Sequence, residues 1–123
     1  MKKQTAKSAH LAIRTRLRIQ RGEDIALGPG KVDLLALVAE TGSIRVAAER
    51  LHMSYMRAWT LIRTMNRCFK EPVVTAVRGG KKGGGARLTK TGQEALELYQ
   101  NMEKSCFDVI GDDWRELKRL LNP

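Results

Sequence analysis

TGSIRVAAERLHMSYMRAW, residues 41–59, holds two helix starts in close succession. Thr41-Gly42 closes the element before it, and Gly42 suits the left-handed position just past a helix end. Ser43 follows at once and can cap a new helix by accepting a backbone N–H of its first turn. Ile44, Ala47, Ala48 and Leu51 recur at three and four, which gives that short helix one apolar face. His52-Met53 reads as a brief connection, with His52 a turn residue rather than a metal ligand, because no second His or Cys is spaced to join it. Ser54 repeats the capping chemistry and opens a longer helix through about Phe69. Its inward stripe is Ala58, Leu61, Ile62, Met65 and Phe69, and Trp59 reads as core or interface because burial of an indole is large. A helix pair joined by so tight a turn is a helix-turn-helix.

Working outward, Val32, Leu34, Leu35, Val38 and Ala39 predict an amphipathic helix from Lys31. Further upstream, LAIRTRLRIQ (residues 11–20) alternates, with Ile13, Thr15, Leu17 and Ile19 on one side and Arg14, Arg16 and Arg18 on the other. Period two predicts a half-buried strand. The three arginines read first as its solvated face, with phosphate contact as the second reading. Gly22-Glu23-Asp24 and Gly28-Pro29-Gly30 are turn signals. Downstream, Pro72 ends the long helix. Val73 to Val77 is a β-branched run, residues 78–85 form a basic glycine loop, and Ala86-Arg87-Leu88 is the return strand. Thr89 caps a last helix, with Ala95, Leu96, Leu98, Tyr99, Met102, Cys106, Val109 and Ile110 as its apolar positions. Gly111-Asp112-Asp113 is expected to interrupt it before a helical pattern resumes at Trp114. The fold expected is mainly α with a small β-hairpin: a winged helix-turn-helix with a long C-terminal helix. Residues 1–10 read as a flexible basic tail, 11–90 as the winged domain, and 91–123 as a dimerisation helix and tail.

Length and composition agree. The 123 residues suit one domain, and 42% hydrophobic content suits a folded one. No window approaches a membrane span, and the basic start has no apolar run behind it to make a signal peptide. Cys68 and Cys106 lie far apart without CxxC spacing, so reduced thiols and a cytoplasmic location are expected. The net charge of +10 divides unevenly, into +13 over residues 1–90 and −3 over residues 91–123. Such a step suits one face for a polyanion and a separate element for a partner.

Several segments together resemble the DNA-binding domain of molybdate-responsive regulators of the ModE type, with a helix-turn-helix like that of LysR-type regulators. They are LGPGK at 27–31, ETGSI at 40–44, AAERLHMSY at 47–55, AW at 58–59 and GGKKGGGARLTKTG at 79–92. The resemblance covers about residues 14–108 and is carried by the combination, each piece being weak alone. It implies sequence-specific binding of double-stranded DNA and transcription regulation, of molybdenum-related or similar genes. Full-length members of that family carry molybdate-binding domains after the long helix. With Pro123 as the last residue, the expectation is the DNA-binding half alone, with no molybdate site and no cofactor.

A recognition helix presents its N-terminal residues to the bases. Here those are Tyr55, Met56, Arg57 and, one turn on, Thr60. Arg57 can pair bidentately with guanine, worth about 1–3 kcal/mol of discrimination. Met56 and Thr60 suit a thymine methyl, and Tyr55 a phosphate or sugar, although packing on the helix pair is its other reading. Ser54 can donate to a phosphate alongside its capping role. Ser43 and Arg45 open the preceding helix, whose free N–H groups suit a phosphate. Arg78, Lys81 and Lys82 on the glycine wing supply charge without reading sequence. The last helix, over residues 89–110, would span about 33 Å. That is long for one small core, so a homodimer seam of Leu98, Met102, Cys106, Val109 and Ile110 is expected. The alternative is an RNA-binding or protein-interaction module using the basic wing. The six aromatics mostly fall on helical apolar faces, which argues against RNA stacking. An enzyme is not expected: the glycine loop lacks the Gly-Lys-Ser/Thr ending of a P-loop, and no nucleophile or metal constellation is present.

Overall fold

The computed structural model describes residues 9–78 and 85–123. The element order is β1 (Ile19–Arg21), β2 (Asp24–Leu27), α1 (Pro29–Thr41), α2 (Ile44–Arg50), α3 (Tyr55–Cys68), β3 (Val74–Val77), β4 (Gly85–Leu88) and α4 (Lys90–Leu120). The chain is a winged helix-turn-helix, mainly helical, with β1–β2 and β3–β4 each forming a two-stranded antiparallel ladder. The core lies between the three short helices and the start of α4. Leu34 and Leu35 from α1, Ala47 from α2, Ile62 and Met65 from α3, and Val73 ahead of β3 are fully enclosed. Ala95, Leu96 and Tyr99 of α4 join the same cluster, so the long helix is rooted in the domain.

Three local expectations need correction. The alternation over residues 11–20 is real in burial: Leu11, Ile13, Thr15 and Leu17 are half-buried while Arg14, Arg16 and Arg18 are exposed. Yet only Ile19–Arg21 enters a ladder, and Ile19 itself is exposed. Residues 11–18 carry no ladder and are held against α4 instead. Tyr99 Oη donates to the Leu17 carbonyl at 2.7 Å, and Thr15 Oγ1 donates to Glu103 Oε2 at 3.2 Å. A period of two reports which side faces protein, not which group pairs with the backbone.

Second, Gly28-Pro29-Gly30 is no free-standing turn. Pro29 occupies the start of α1, where its missing N–H costs nothing, and Val32 N donates to the Gly28 carbonyl at 2.9 Å. Third, α4 runs unbroken through Gly111 for 31 residues, about 46 Å. One glycine costs a helix only about 1 kcal/mol. The following turns are supported by Asp112–Arg115 and Glu116–Arg119 pairs and by the Lys118 ammonium over the Trp114 ring.

Tyr99 anchors the N-terminal segment, and burial, with Glu103 and then Asp33 nearby, raises its pKa above the ordinary tyrosine value. The phenol therefore stays protonated while an unfolded tyrosine ionises near pH 10. Stability from this group is complete below about pH 10 and falls as pH rises further, since the folded state then holds more protons than the unfolded. Tyr99→Phe is expected to cost about 1 kcal/mol at neutral pH. It should also make the alkaline loss of stability shallower, as read from urea melts across a pH series.

Candidate nucleic-acid interface

The tight turn forms as the capping residues dictate. Ser43 Oγ accepts from Val46 N and Ser54 Oγ from Arg57 N, both at 3.0 Å. Between them His52 takes the left-handed conformation, at φ 57°, and Met53 N returns to the Ala48 carbonyl at 3.0 Å. His52 is thus a turn residue, as its neighbours suggested. Gly42, at φ 70°, closes α1 by donating to the Val38 carbonyl, and its own carbonyl accepts from Ala86 N at 3.0 Å. One glycine therefore ends a helix and docks the β3–β4 hairpin onto the helix pair.

Tyr55, Met56, Arg57 and Thr60 are exposed, Met56 at 67%. The Arg45 guanidinium of α2 sits over the Tyr55 ring, 5.0 Å from its centroid. Trp59 is half-buried and meets the same ring edge-on at 6.3 Å. Arg45 and Tyr55 therefore tie the two helices together, with Trp59 bracing the ring, while Tyr55 stays partly exposed. Such a cation–π contact holds the guanidinium in place without neutralising it. Thr60 Oγ1 donates to the Met56 carbonyl at 3.0 Å, so its donor is already used.

Sequence reasoning stopped at Thr60 of α3 and missed Arg63 and Arg67. With Met56 and Thr60 they complete one exposed row at spacings of four, three and four. That spacing was the available signal. Arg67 is partly neutralised by Asp24 at 3.4 Å, and Arg50 by Glu40 at 2.9 Å. Arg45, Arg57 and Arg63 have no ion-pair partner among the described residues.

The wing is carried by a register of Val74↔Leu88, Thr75↔Arg87, Ala76↔Ala86 and Val77↔Gly85. Asn66 of α3 clamps its base: Oδ1 accepts from Val73 N at 2.7 Å, and Nδ2 donates to the Val74 carbonyl at 3.2 Å. Arg78 is exposed at the end of β3. Lys81 and Lys82 lie outside the described residues.

On α4, Leu98, Met102 and Val109 are 56%, 45% and 82% exposed and fall along one side of the helix. Cys106 and Ile110 are half-buried on its shoulder. Phe107, Leu117 and Leu120 are further exposed apolar groups that sequence reasoning left out. Among the described residues, no helix is long and apolar enough to cross a membrane.

Residues 30–93 match the family described as bacterial regulatory helix-turn-helix protein, lysR family. The chain is similar to the molybdenum-pterin-binding protein MopB of Rhodobacter capsulatus, 44% identical over 68% of this chain and 31% of that protein. It is 35% identical to the DNA-binding transcriptional dual regulator ModE of Escherichia coli K12, over 79% of this chain and 38% of that one. Against the molybdenum transport protein ModE of Azotobacter vinelandii the identity is 33%, over 87% and 44% respectively. The chain thus spans about a third to under half of the length of these curated relatives.

Proposed function

Because the chain belongs to the LysR family of bacterial regulatory helix-turn-helix proteins, we propose that it binds double-stranded DNA sequence-specifically and regulates transcription of molybdenum-related genes. The exposed row of α3 carries this reading. Met56, Thr60 and Arg63 stand in that row, with exposed Arg57 beside it, on a helix whose start is capped and held by α2. Arg57 reads guanine, Met56 and Thr60 meet thymine methyls, and Arg45 with Arg78 and the wing lysines takes phosphates. Ser43 and Ser54 add phosphate contacts at the starts of α2 and α3, and exposed Tyr55 meets the sugar-phosphate edge. The relatives' names support the molybdenum connection. Neither catalysis nor a cofactor or molybdate site is part of the proposal for residues 1–123.

Two copies are proposed to join through α4, with Leu98, Met102 and Val109 at the seam and Cys106 and Ile110 beside it. A twofold pair would set its recognition helices about 34–36 Å apart, one turn of the duplex.

Selection of bound sequences from random duplex DNA tests function and symmetry together, with a palindromic consensus expected. Arg57→Ala should then lose about 1–3 kcal/mol of preference, roughly five- to 150-fold, at one base pair in each half-site. Absence of any enriched sequence, or preference for structured RNA at matched salt, would overturn the proposal.

A further inference from the structure

The arginine row of the N-terminal segment is not used by the interface described above. Arg18 lies over the start of α1: its Cγ is 3.7 Å from where a Cβ on Gly28 would sit. Lys31, in the first turn of α1, is half-buried. Burial lowers its pKa; Cys68 and Asp24 oppose the shift, while the charges of Arg57 and Arg18 add to it. Cations from three elements thus gather where the N-terminal segment, α1 and α3 meet. Arg18 is exposed. Of the acidic groups nearby, Asp24 is engaged by Arg67, and Glu23 lies exposed on the β1–β2 turn. Among the described residues Arg18 and Lys31 have no ion-pair partner.

The β3–β4 hairpin is fastened to α3 at Asn66. Arg57, the α3 residue whose charge reaches Lys31, is nine residues earlier. At about 100° per residue, nine residues place the two on opposite flanks of the helix. A helix lying in a major groove has a phosphate backbone along each flank. The wing attends to one of them.

We propose that Arg18 and Lys31 form a second phosphate clamp, which grips the duplex backbone on the flank of α3 opposite the wing. This rests on the DNA-binding reading above. Mutual repulsion among these cations, which Asp24 only partly offsets at Lys31, is relieved when phosphate arrives and its counterions leave. The clamp sets register and orientation and reads no bases.

Binding of a mixed-sequence duplex of about 30 base pairs, long enough for two half-sites a turn apart, is measured against salt concentration. The double variant Arg18→Gln/Lys31→Gln should lower the slope of log affinity against log salt by about 2 per chain, near 0.9 for each phosphate no longer neutralised. The base preference found by selection should be unchanged. Arg18 is exposed, so Arg18→Gln alone leaves the fold intact and should lower the slope by about 1, which keeps the test valid should the double variant unfold. Lys104→Gln, which removes a positive charge from exposed α4, should leave the slope unaltered. The clamp is overturned if the Arg18 variant keeps the parent slope, or if Lys104→Gln lowers it as much. If the unaltered protein binds duplex without salt dependence, the DNA-binding reading fails and takes the clamp with it.

Discussion

Gly92→Ala should destabilise the fold by about 3 kcal/mol, although alanine is the better helix former by about 1 kcal/mol. The reason is close approach of backbone. A Cβ at position 92 would overlap the Val73 carbonyl oxygen and stand 2.9 Å from its carbon and 3.2 Å from Val73 Cα. Neither side can yield easily. The Val73 oxygen accepts from Thr89 N at 3.0 Å, Thr89 Oγ1 accepts from Gly92 N at 3.0 Å, and the same hydroxyl donates to the Pro72 carbonyl at 2.6 Å. The start of α4 is thereby stapled to the chain entering β3, and an added methyl must pry the two apart. Gly111→Ala is the matched control on the same helix: a Cβ there meets nothing within 4 Å, so a gain of about 1 kcal/mol is expected. Urea unfolding of both variants decides the matter. A Gly92 variant as stable as the parent would mean that α4 does not approach Val73 so closely.

The proposed dimer leads to the second large effect. Met102→Glu combined with Val109→Glu should give a monomer by sedimentation equilibrium, with the far-ultraviolet circular dichroism unchanged. Both side chains are already exposed, so the glutamates need not enter the domain core. They would bring like charges together across a helix whose region, residues 91–123, already carries −3. Affinity for a palindromic site should fall by about 10²- to 10⁴-fold once the two DNA-binding units are no longer linked. Affinity for a single half-site should stay near that of the parent. A parent chain that sediments as a monomer at high concentration, with and without DNA, would remove α4 as the seam.

The helix-turn-helix was legible because its signals are short-range. Ser43, Ser54 and Thr89 each cap a helix through an N–H three residues on. The stripe of Ala58, Ile62 and Met65 is buried at the helical spacing that predicts it. Gly42 takes the left-handed conformation that its place after Thr41 requires. The N-terminal segment was half legible, since alternation identified the inward side chains but not what they lean on. For α4, local reading gave too much weight to Gly111-Asp112-Asp113, because the turns on either side outweigh one glycine. On α3 the candidate interface was read from Ser54 through Thr60 and no further, whereas the exposed helical row continues to Arg63 and Arg67.

Capping, turn chemistry and periodicity involve residues within about four positions of one another. The residue order therefore carried the helix pair, the hairpin, the long helix and the uneven division of charge. The rest required residues far apart in the chain to meet. Tyr99 reaches Leu17, Gly92 rests on Val73, Gly42 receives Ala86, and Arg18 lies over Gly28. No short pattern encodes such meetings, because each follows from how whole elements pack. Packing thus laid Arg18, read from the alternation as part of a solvated face, over Gly28 at the start of α1.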